Sequence, residues 1–351
     1  MIILWASLSM LSGLLLFVRR PLVNAQPIAN RKISVIIPAR NEAHNLQKLL
    51  HSFDLSDVYE CIVVDDGSTD DTAQIAQSLG AKVIRTDNHS DWRGKSAACY
   101  KGAEAADGEI LLFIDADTWF HDKKSIQRIA GTYKKGLMSI QPYHEMKQWY
   151  EQGSLYFNLL TVLGLNATSF FKGQEGVFGP CVICSKEDYF ITDGHRAAAG
   201  QLIEGFGLGA AFKAHHFNLY NYIGKNVIHF RMYPKGLGAM TSGWMKHFAA
   251  GSAGTDKRVL ALIVCWISGA FFPLLILIHP TQYTMILIVY LLYVSLLYRM
   301  SCLVGSFKLL TAICYPVVLV YFVYVFLKSI VAIYIRKEVK WKDRNIKLKK
   351  N

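Results

Sequence analysis

Charged residues are missing from four stretches of the sequence. Residues 1–18, 259–278, 281–298 and 309–327 contain no Lys, Arg, Asp or Glu. Each stretch approaches the roughly 20 apolar residues that a helix needs to cross a bilayer. They raise the mean hydropathy of the chain to +0.23, which is high for a soluble enzyme. The sequence therefore predicts transmembrane helices near both ends, with an ordinary globular domain over 30–250.

Paired cysteines are scarce as well. Among seven cysteines, only Cys181 and Cys184 stand close together in the sequence. A zinc site would need two further ligands at a matching spacing, and the neighbouring sequence offers none. The cysteines are therefore interpreted as free thiols in a reducing compartment, and neither a zinc site nor a disulfide framework is expected.

Acidic residues are outnumbered, with 26 Asp and Glu against 38 Lys and Arg and a net charge of +12. Much of the excess lies in the tail 336–351, where eight residues are Lys or Arg. No nucleic-acid recognition motif accompanies this charge, and the chain has no internal repeat or low-complexity tract. The tail is interpreted as a juxtamembrane segment that binds anionic lipid, and no nucleic-acid partner is expected.

The first apolar run is interpreted as a retained membrane anchor, residues 1–20. Its charges, Arg19 and Arg20, follow the run, whereas a secretory signal carries its charges in front. Val23-Asn24-Ala25 resembles a cleavage site, so removal of the segment is the minor alternative. By the positive-inside rule, the arginine pair places the following domain in the cytoplasm.

The C-terminal part presents a conflict of topology. Three crossings over the predicted transmembrane region 259–335 would carry the basic tail outside, whereas the positive-inside rule places it inside. One of the three runs is then expected to lie in the interface or to re-enter, since Pro273, Pro280 and Pro316 allow kinks. The prediction is a multi-pass protein of the plasma membrane with a cytoplasmic catalytic domain.

Short β-branched runs alternate with helical patterns between residues 33 and 117. Strands are predicted at 33–37, 61–65, 82–85 and 110–114, and helices at 41–51, 68–79 and 95–106. This alternation predicts an α/β fold with a mostly parallel sheet that is covered on both faces. In such sheets, ligands bind at the carboxyl ends of the strands.

Polar residues follow three of these strands. They are Pro38 to Glu42 after the first, Asp65 to Ser68 after the second, and Asp115 to Asp117 after the fourth. Because Asp, Gly and Ser are common turn and cap residues, the second cluster alone is equally well explained as a turn. As a functional cluster, one of its carboxylates would accept hydrogen bonds from a uracil N–H or ribose hydroxyls. Three clusters on one rim favour a binding site.

The pair Asp115 and Asp117 predicts a metal site. Two hard oxygen ligands one residue apart can share a Mg²⁺ or Mn²⁺ ion that bridges to a pyrophosphate. The cation would neutralise the leaving diphosphate as the sugar–phosphate bond breaks. A polar strand end is the alternative, but the strand before the pair and the clusters beside it favour the metal.

Four motifs follow one another in order: Ile36 to Glu42, Val64 to Asp70, Gly94-Lys95-Ser96 and Phe113 to Asp117. Together they resemble the family 2 glycosyltransferases of the GT-A fold over about 33–250. The resemblance implies a nucleotide-diphospho-sugar transferase domain and inverting transfer from a UDP-sugar. It further implies uridine contacts at Pro38, Arg40, Glu42 and Asp66, phosphate or uracil contacts near Lys95, and metal ligation at Asp117. Asp65 and Asp115 complete the predicted nucleotide-sugar site.

Further motifs extend the likeness along the chain. They include Gln141 to His144, Phe178-Gly179-Pro180, Ile203 to Phe206 and Phe230 to Tyr233. With the terminal apolar segments, they resemble the carotenoid-acid glycosyltransferases of this family over nearly the whole chain. This implies glucose transfer from UDP-glucose to the carboxylate of a C30 carotenoid acid, with the membrane and other enzymes of the carotenoid pathway as partners.

The acceptor side departs from the family pattern. Many family 2 enzymes carry an acidic Glu-Asp pair where this chain has Glu204-Gly205, and of a Gln-x-x-Arg-Trp motif only Trp244 remains. A sugar hydroxyl needs a positioned base before it can attack. A carboxylic acid, with a reference pKa of ~4, is already ionised at neutral pH. The departure therefore fits a carboxylate acceptor, and Glu204 is predicted as a catalytic residue that acts as base, orienter or sugar binder.

Further candidates for the acceptor side, called the acceptor-side candidates, come from the second half of the domain: His195, Arg196, Arg231, Trp244 and His247. An arginine there would clamp the diphosphate or the acceptor carboxylate, or else be an ordinary surface charge. Trp244 is either a platform for the sugar or polyene or an interface anchor. The apolar stretch 156–171 predicts either a membrane-surface helix or a core helix.

Two other functions remain open from the sequence. One is a family 2 transferase that acts on a polyprenyl phosphate or another lipid acceptor, against which the Gly205 departure argues. The other is a membrane scaffold that binds a nucleotide-sugar without turnover, against which the intact metal motif argues. A fold alone does not decide such a choice.

Overall fold

The computed structural model describes residues 2–28, 31–86, 92–201, 203–273, 283–331, 338–341 and 344–347. The chain divides into two compact units. Unit 1 comprises Met1–Arg20, Met146–Lys172 and Met232–Asn351, and unit 2 comprises Pro21–Glu145 and Gly173–Arg231. The segment 146–172, which lies within the predicted catalytic stretch 30–250, belongs to unit 1. The predicted functional boundaries stay a prediction.

The secondary structure elements are numbered in chain order. The helices are α1 Ile2–Leu16, α2 Ala43–His51, α3 Thr72–Ser78, α4 Lys95–Glu104, α5 Ser125–Thr132, α6 Leu155–Gly164, α7 Lys186–Ile191, α8 Gly194–Ala197, α9 Glu204–Ala214, α10 Leu237–Ala253, α11 Lys257–Gly269, α12 Tyr283–Val304, α13 Leu309–Ile313 and α14 Tyr315–Ile330. The strands are β1 Ile33–Ala39, β2 Glu60–Asp65, β3 Lys82–Arg85, β4 Ile110–Ile114, β5 Thr118–Phe120, β6 Leu137–Gln141, β7 Tyr143–His144, β8 Cys181–Ser185, β9 Leu219–Ile223, β10 Ile228–Phe230, β11 Glu338–Trp341 and β12 Arg344–Lys347.

The main sheet of unit 2 has the strand order β3-β2-β1-β4-β8-β6-β9. Strands β3, β2, β1 and β4 run parallel to one another, and β6 and β9 form a second parallel pair. Only β8 runs antiparallel to both its neighbours, β4 and β6. The predicted mostly parallel α/β sheet is confirmed.

Both faces of this sheet are buried, which explains the continuous apolar strands in the sequence. Along β1, Val35 and Ile37 belong to the core on one face, whereas Ile36 belongs to the core on the other face. Because successive side chains of a strand point to opposite faces, an alternating apolar–polar pattern is not expected when both faces are covered.

The first helices begin later than the sequence suggests. Asn41 has φ 54°, in the left-handed region, so α2 cannot begin there and starts after Glu42. Helix α3 starts at Thr72 and not at Ser68, because the Asp70 carboxylate accepts the backbone N–H of Thr72 at 3.1 Å and holds the preceding residues in a turn. The polar stretch 65–71 is therefore a loop at the rim of the sheet.

A small sheet of order β5-β10-β7 adjoins the acidic motif in the chain. Strand β5 starts one residue after Asp117 and pairs antiparallel with β10, with Phe230 opposite Thr118 and His229 opposite Trp119. Strand β7 lies on the other side of β10, with Tyr143 opposite His229. Residues from distant parts of the sequence are thereby brought beside the motif at 115–117.

Unit 1 consists mainly of apolar helices. Within the described residues, α12 is the helix that is long and apolar enough to cross a membrane, whereas the apolar segments Leu4–Leu16 and Tyr315–Ile330 are shorter. Transmembrane helices at both ends are therefore not established by helix length. Helix α6, predicted as either a surface or a core helix, is mostly buried within unit 1 and is a core helix.

Arg19 has a structural role that the sequence did not reveal. Its guanidinium donates hydrogen bonds to the carbonyl oxygens of Asn166, Ser169 and Phe171. The backbone N–H of Arg19 donates to the carbonyl of Thr168 at 2.8 Å. The end of the first apolar segment is thus fastened to the loop after α6, which gives residues 1–20 a place in the packing of unit 1.

Candidate active site

The first two polar clusters form one connected rim. The Asn41 side-chain oxygen accepts the backbone N–H of Thr69 at 2.8 Å, and the backbone N–H of Asn41 donates to the Ser68 hydroxyl at 3.0 Å. One residue further, the backbone N–H of Glu42 donates to the Thr72 hydroxyl at 2.9 Å. The turn-forming residues and the predicted ligands therefore cooperate, since the turn fixes the backbone that carries the ligands.

Asp65 and Asp66 have different surroundings. Asp65 is buried and accepts the backbone N–H of Ser68 at 2.9 Å, so its carboxylate shapes the turn. Asp66 accepts a hydrogen bond from the Thr86 hydroxyl at 2.9 Å and lies 4.0 Å from the Arg40 guanidinium. Of the two predicted nucleotide ligands, Asp66 is the more accessible. Pro38 is in β1, opposite Val64, and precedes this rim.

Lys95 is the central cation of the site. Its ammonium lies 2.6 Å from the Asp115 carboxylate and also donates to the carbonyl oxygen of Gly179 at 3.3 Å. Burial opposes its charge, but the carboxylates of Asp115 and Glu204 outweigh burial and raise the pKa of Lys95. Lys95 therefore pairs with the predicted donor residue Asp115, and the charge of the predicted acceptor-side residue Glu204 also acts on it.

Asp117 lies in an excess of negative charge. Although its carboxylate has solvent access, the surrounding protein desolvates it, and this effect together with the charges of Asp115 and Glu42 raises the pKa of Asp117 to about 7. Lys95 compensates these carboxylates only in part. Asp115 is already engaged by Lys95, which leaves Asp117 as the better placed ligand for a cation.

The donor set fits a divalent cation that is also held by a substrate. Within the described residues, no group of three or more His, Cys, Asp or Glu side chains could enclose a metal ion. Mg²⁺ in nucleotide enzymes usually takes one or two carboxylates from the protein and its remaining ligands from phosphates and water. Asp117, with Asp115 and Glu42 nearby, matches that arrangement and does not match an all-protein metal cage.

Glu204 is the first residue of α9, and its neighbour Gly205 has no room for a side chain. A Cβ atom at position 205 would lie 2.0 Å from the carbonyl oxygen of Val177. The backbone carbonyl of Gly205 also accepts the N–H of Val177 at 3.0 Å. The absence of a second acid after Glu204 is thus built into the backbone, because any side chain there would displace the Val177 peptide.

We expect Gly205→Ala to destabilise the protein by about 1–3 kcal/mol, the usual cost of forcing atoms into a packed site. The matched control is Gly238→Ala, since a Cβ at this helical glycine has no atom within 4 Å. Alanine is the better helix former, so the control should be neutral or slightly stabilising. Thermal unfolding of both variants decides the matter, and equal midpoints would contradict the account of Gly205.

Two of the acceptor-side candidates in unit 2, His195 and Arg196, differ in burial and in hydrogen-bond partners. His195 is buried, and its Nδ1 lies 3.0 Å from the Tyr189 hydroxyl. Burial, with the nearby Lys95 charge, lowers the pKa of His195 to about 3, so the ring is neutral. Arg196 is half exposed, lies 3.8 Å from Asp193, and stacks over the ring of Tyr100 at 4.4 Å. These contacts give His195 a packing role and leave Arg196 accessible.

Arg231 follows β10 and is placed beside the acidic motif by strand register. The last pair of the β5–β10 ladder is Thr118 with Phe230. Asp117 precedes the first of these residues, and Arg231 follows the second, so the two positions flank the same pair. Of the acceptor-side candidates, Arg231 is the one whose backbone lies next to Asp117, the predicted metal ligand.

Trp244 and His247 belong to α10 in unit 1. Trp244 is buried, stacks on Phe157 with ring centroids 4.9 Å apart, and donates from its indole N–H to the Ser154 hydroxyl at 3.0 Å. These contacts support a packing role and give no support to a ligand platform. The side chain of His247 lies outside the described residues.

The loop 176–180, between Gly176 and Pro180, has a role in the site that the motif Phe178-Gly179-Pro180 does not reveal in the sequence. It contacts Lys95, Asp115 and Gly205 through backbone groups. Only a run of small or cyclic residues, Gly179-Pro180, indicated that the backbone itself comes close to other groups there. Hydrogen bonds through main-chain atoms leave little trace in the identity of the side chains.

Comparison with known proteins agrees with this fold. The family model described as "Glycosyl transferase family 2" matches residues 34–185, which contain the rim, Lys95 and the acidic motif. A curated relative matches 98% of this chain. The chain belongs to the family 2 glycosyltransferases, and the predicted GT-A-like α/β domain is confirmed.

Among curated relatives, the chain is similar to 4,4'-diaponeurosporenoate glycosyltransferase from Staphylococcus aureus strain MRSA252. The two are 36% identical over 98% of this chain and 96% of that protein. The protein of the same name from strain USA300 is 35% identical over the same shares.

Among solved structures, the chain is similar to a glucosyl-3-phosphoglycerate synthase from Mycobacterium tuberculosis in complex with Mn²⁺, uridine diphosphate and phosphoglyceric acid. The identity is 20% and the TM-score 0.46, over 68% of this chain and 88% of that chain. A second similar structure is a mycobacterial protein with 23% identity and a TM-score of 0.45, over 65% of this chain and 76% of that chain.

Proposed function

We propose that this glycosyltransferase transfers glucose from UDP-glucose to the carboxylate of a C30 carotenoid acid, 4,4'-diaponeurosporenoate, and forms a glycosyl ester with inversion. The observation that carries the proposal is the position of Lys95, which interacts with Asp115 on the donor side and Glu204 on the acceptor side. The acceptor class is supported by the name of relatives that are 35–36% identical over nearly the full length.

The donor half of the proposed site is the rim that carries Pro38, Arg40, Glu42, Asp65 and Asp66. Asp66 and Glu42 offer carboxylate oxygens for the ribose hydroxyls or the uracil N–H, while Arg40 lies beside Asp66 at 4.0 Å. Asp65 supports them by fixing the turn at Ser68. The donor half thus combines two accessible acceptors with a backbone that is held in place by hydrogen bonds.

Asp117 is the proposed ligand of Mg²⁺ or Mn²⁺, with Asp115 and Glu42 as the adjoining carboxylates. When bound, the cation supplies charge to stabilise the diphosphate that leaves. Lys95 holds Asp115 at 2.6 Å and keeps its own positive charge next to the site. A fixed cation beside a developing anion needs no reorganisation during the reaction, which is the general advantage of a preorganised site.

The reaction balances without a proton acceptor. A carboxylate oxygen of the acceptor attacks C1 of the sugar, the bond from C1 to the β-phosphate oxygen breaks, and UDP leaves with the electron pair. A carboxylic acid is ionised at neutral pH because its reference pKa is ~4. Glu204 is then an orienting residue and not an obligatory base, and Arg231 is proposed to pair with the acceptor carboxylate.

We expect Glu204→Gln to slow transfer by less than the factor of ~10²–10⁴ that loss of a general base normally costs. Glutamine keeps the shape and one hydrogen-bonding oxygen, so orientation is largely preserved while basicity is lost. Initial rates at saturating UDP-glucose measure the effect. A loss of ~10²-fold or more would show that Glu204 acts as a base and would count against a carboxylate nucleophile.

We propose a membrane location for unit 1, with α12 crossing the bilayer and a cytoplasmic site in unit 2. Several helices of unit 1 carry exposed apolar stripes: Leu4, Leu8, Leu11 and Leu14 on α1, and Val317, Val320, Tyr324 and Leu327 on α14. Contiguous exposed apolar surface of this kind is typical of membrane contact. Multi-pass topology with N- and C-terminal transmembrane helices remains our proposal, as does an association with other carotenoid pathway enzymes.

The proposal is tested with membranes that contain the protein, labelled UDP-glucose, Mg²⁺ or Mn²⁺, and 4,4'-diaponeurosporenoate. The expected product is an apolar glycosyl ester that mild alkali cleaves. Transfer to a polyprenyl phosphate, but not to the carotenoid acid, would replace this acceptor with a lipid phosphate. Tight UDP binding without product from any acceptor would indicate a nucleotide-sugar-binding scaffold.

A further inference from the structure

The loop 176–180 touches the donor side of the site through its last two residues. The carbonyl oxygen of Gly179 accepts a hydrogen bond from the Lys95 ammonium at 3.3 Å. The carbonyl oxygen of Pro180 accepts the backbone N–H of Asp115 at 2.9 Å. A shift of the loop would therefore move both partners of the Lys95–Asp115 ion pair.

The same loop touches the acceptor side through its first residues. The N–H of Val177 donates to the carbonyl of Gly205 at 3.0 Å, directly after Glu204. Helix α9 also approaches closely at Gly209, where a Cβ atom would lie 2.8 Å from the Cα of Gly176. Five consecutive residues thus contact both Lys95–Asp115 and the helix that begins with Glu204.

Two buried polar side chains of the main sheet, Ser139 and Asn221, form hydrogen bonds with the backbone of this loop. The Ser139 hydroxyl accepts the backbone N–H of Phe178 at 2.9 Å and donates to the Asn221 side-chain oxygen at 2.7 Å. The Asn221 amide group donates to the carbonyl of Gly176 at 2.9 Å. Ser139 in β6 and Asn221 in β9 are paired in register, so the sheet places them side by side.

We propose that Ser139 and Asn221 are positioning residues for the transfer reaction, which set the distance between the donor and acceptor halves through the loop 176–180. The inference rests on the proposed function of the site. Both side chains are buried. Burying a polar group is unfavourable unless it is hydrogen-bonded, and the hydrogen bonds described above join these two side chains to each other and to the loop.

Ser34 provides a matched control in the same unit. It is also a fully buried serine of a sheet strand, and its hydroxyl accepts the backbone N–H of Gly108 at 2.9 Å and donates to Glu60 at 2.6 Å. These partners lie at the amino-terminal end of β1, away from the carboxyl end that carries the rim. Ser34→Ala and Ser139→Ala therefore remove similar buried hydrogen bonds with different connections.

The experiment compares Ser139→Ala, Asn221→Ala and Ser34→Ala in the full-length protein. We expect kcat for glucose transfer to fall about 10–100-fold in the first two, since a displacement of about 1 Å can cost 10²-fold. The KM for UDP-glucose should change by less than about threefold, and kcat of Ser34→Ala by less than about twofold. Hydrolysis of UDP-glucose by water should gain relative to transfer only in the first two variants.

Amide hydrogen exchange adds a readout that needs no acceptor. Exchange over 176–180 and 204–208 should quicken in Ser139→Ala and Asn221→Ala and stay as in wild type in Ser34→Ala. A fall of kcat in all three variants that simply follows the fall of their unfolding midpoints would overturn the positioning role. Unchanged amide exchange at Val177 in Ser139→Ala and Asn221→Ala would overturn it as well. If wild type forms no glycosyl ester, the proposed function fails, while the exchange data still decide whether Ser139 and Asn221 hold the loop.

Discussion

Replacing Asp117 with alanine is expected to lower glucose transfer by about 10³-fold. Asp117 is the accessible carboxylate of the acidic motif, because Asp115 is held by Lys95 at 2.6 Å. Without Asp117, a cation at this position would lose its best placed protein ligand. Removing one strong stabiliser of a developing anion typically costs about 10²–10³ in rate, and a displaced cation costs more.

The effect of Asp117→Ala is measured as initial rate over a titration of Mn²⁺, with Mn²⁺ affinity followed in parallel in the presence of UDP. The control is Asp107→Ala, an exposed aspartate in the turn before β4. This control should keep the wild-type rate and metal affinity. Product formation that persists in Asp117→Ala with an unchanged Mn²⁺ dependence would remove Asp117 from the metal site.

Replacing Lys95 with alanine is expected to lower transfer by about 10²–10³-fold. The substitution removes the cation that Asp115 and Glu204 share and the hydrogen bond to the Gly179 carbonyl. The carboxylates would then repel one another across the site, and the leaving diphosphate would lose a fixed positive charge. We expect both a lower kcat and a higher KM for UDP-glucose, since Lys95 contributes to donor binding and to the transition state.

Lys101→Ala is the control for Lys95→Ala, because Lys101 lies on the same helix and its ammonium donates to the carbonyl of Arg85 in a solvent-exposed hydrogen bond. Its kinetic constants should stay within about twofold of wild type, as is usual for surface substitutions. Wild-type kinetics in Lys95→Ala would show that the ion pair with Asp115 is a structural contact without a part in transfer.

The strands and the rim of the site could be predicted from the sequence with good accuracy. The expected strands 82–85 and 110–114 coincide with β3 and β4. They are short apolar runs that end in polar residues, and burial on both faces demands that pattern. The acidic motif follows β4 directly, so its place at the carboxyl edge of the sheet depends only on local sequence and strand direction.

Contacts between distant segments could not be predicted in the same way. The sequence shows Lys95 and Glu204 as separate candidates, and only the folded chain brings the charge of Glu204 near enough to act on Lys95. Gly205 departs from the family pattern, but only the folded structure shows that a Cβ atom at this position would lie 2.0 Å from the Val177 carbonyl oxygen. For Trp244, the sequence predicts a ligand platform or an interface anchor, whereas the structure shows a buried side chain. The identity of a tryptophan does not indicate whether it is buried.

Of the features predicted from the sequence, membrane topology is the one that the sequence pattern determines least. The uncharged runs 1–18 and 309–327 correspond to α1 and to α13 with α14, none of which reaches the length of α12. Apolar composition reports a preference for a nonpolar environment, whereas crossing a bilayer also requires about 20 residues in one helix. Part of the apolar surface in these segments packs inside unit 1, as the buried side chains of Leu16 and Leu319 do.

The central claim is that a carboxylate oxygen of the acceptor attacks the sugar and that UDP departs intact. The most direct test uses 4,4'-diaponeurosporenoate with both carboxyl oxygens replaced by ¹⁸O, with UDP-glucose and Mn²⁺, and mass spectrometry of both products. We predict a glucosyl ester that retains both ¹⁸O atoms and UDP that contains none. Transfer of one ¹⁸O to UDP or to phosphate, or the absence of any labelled ester, would contradict this account.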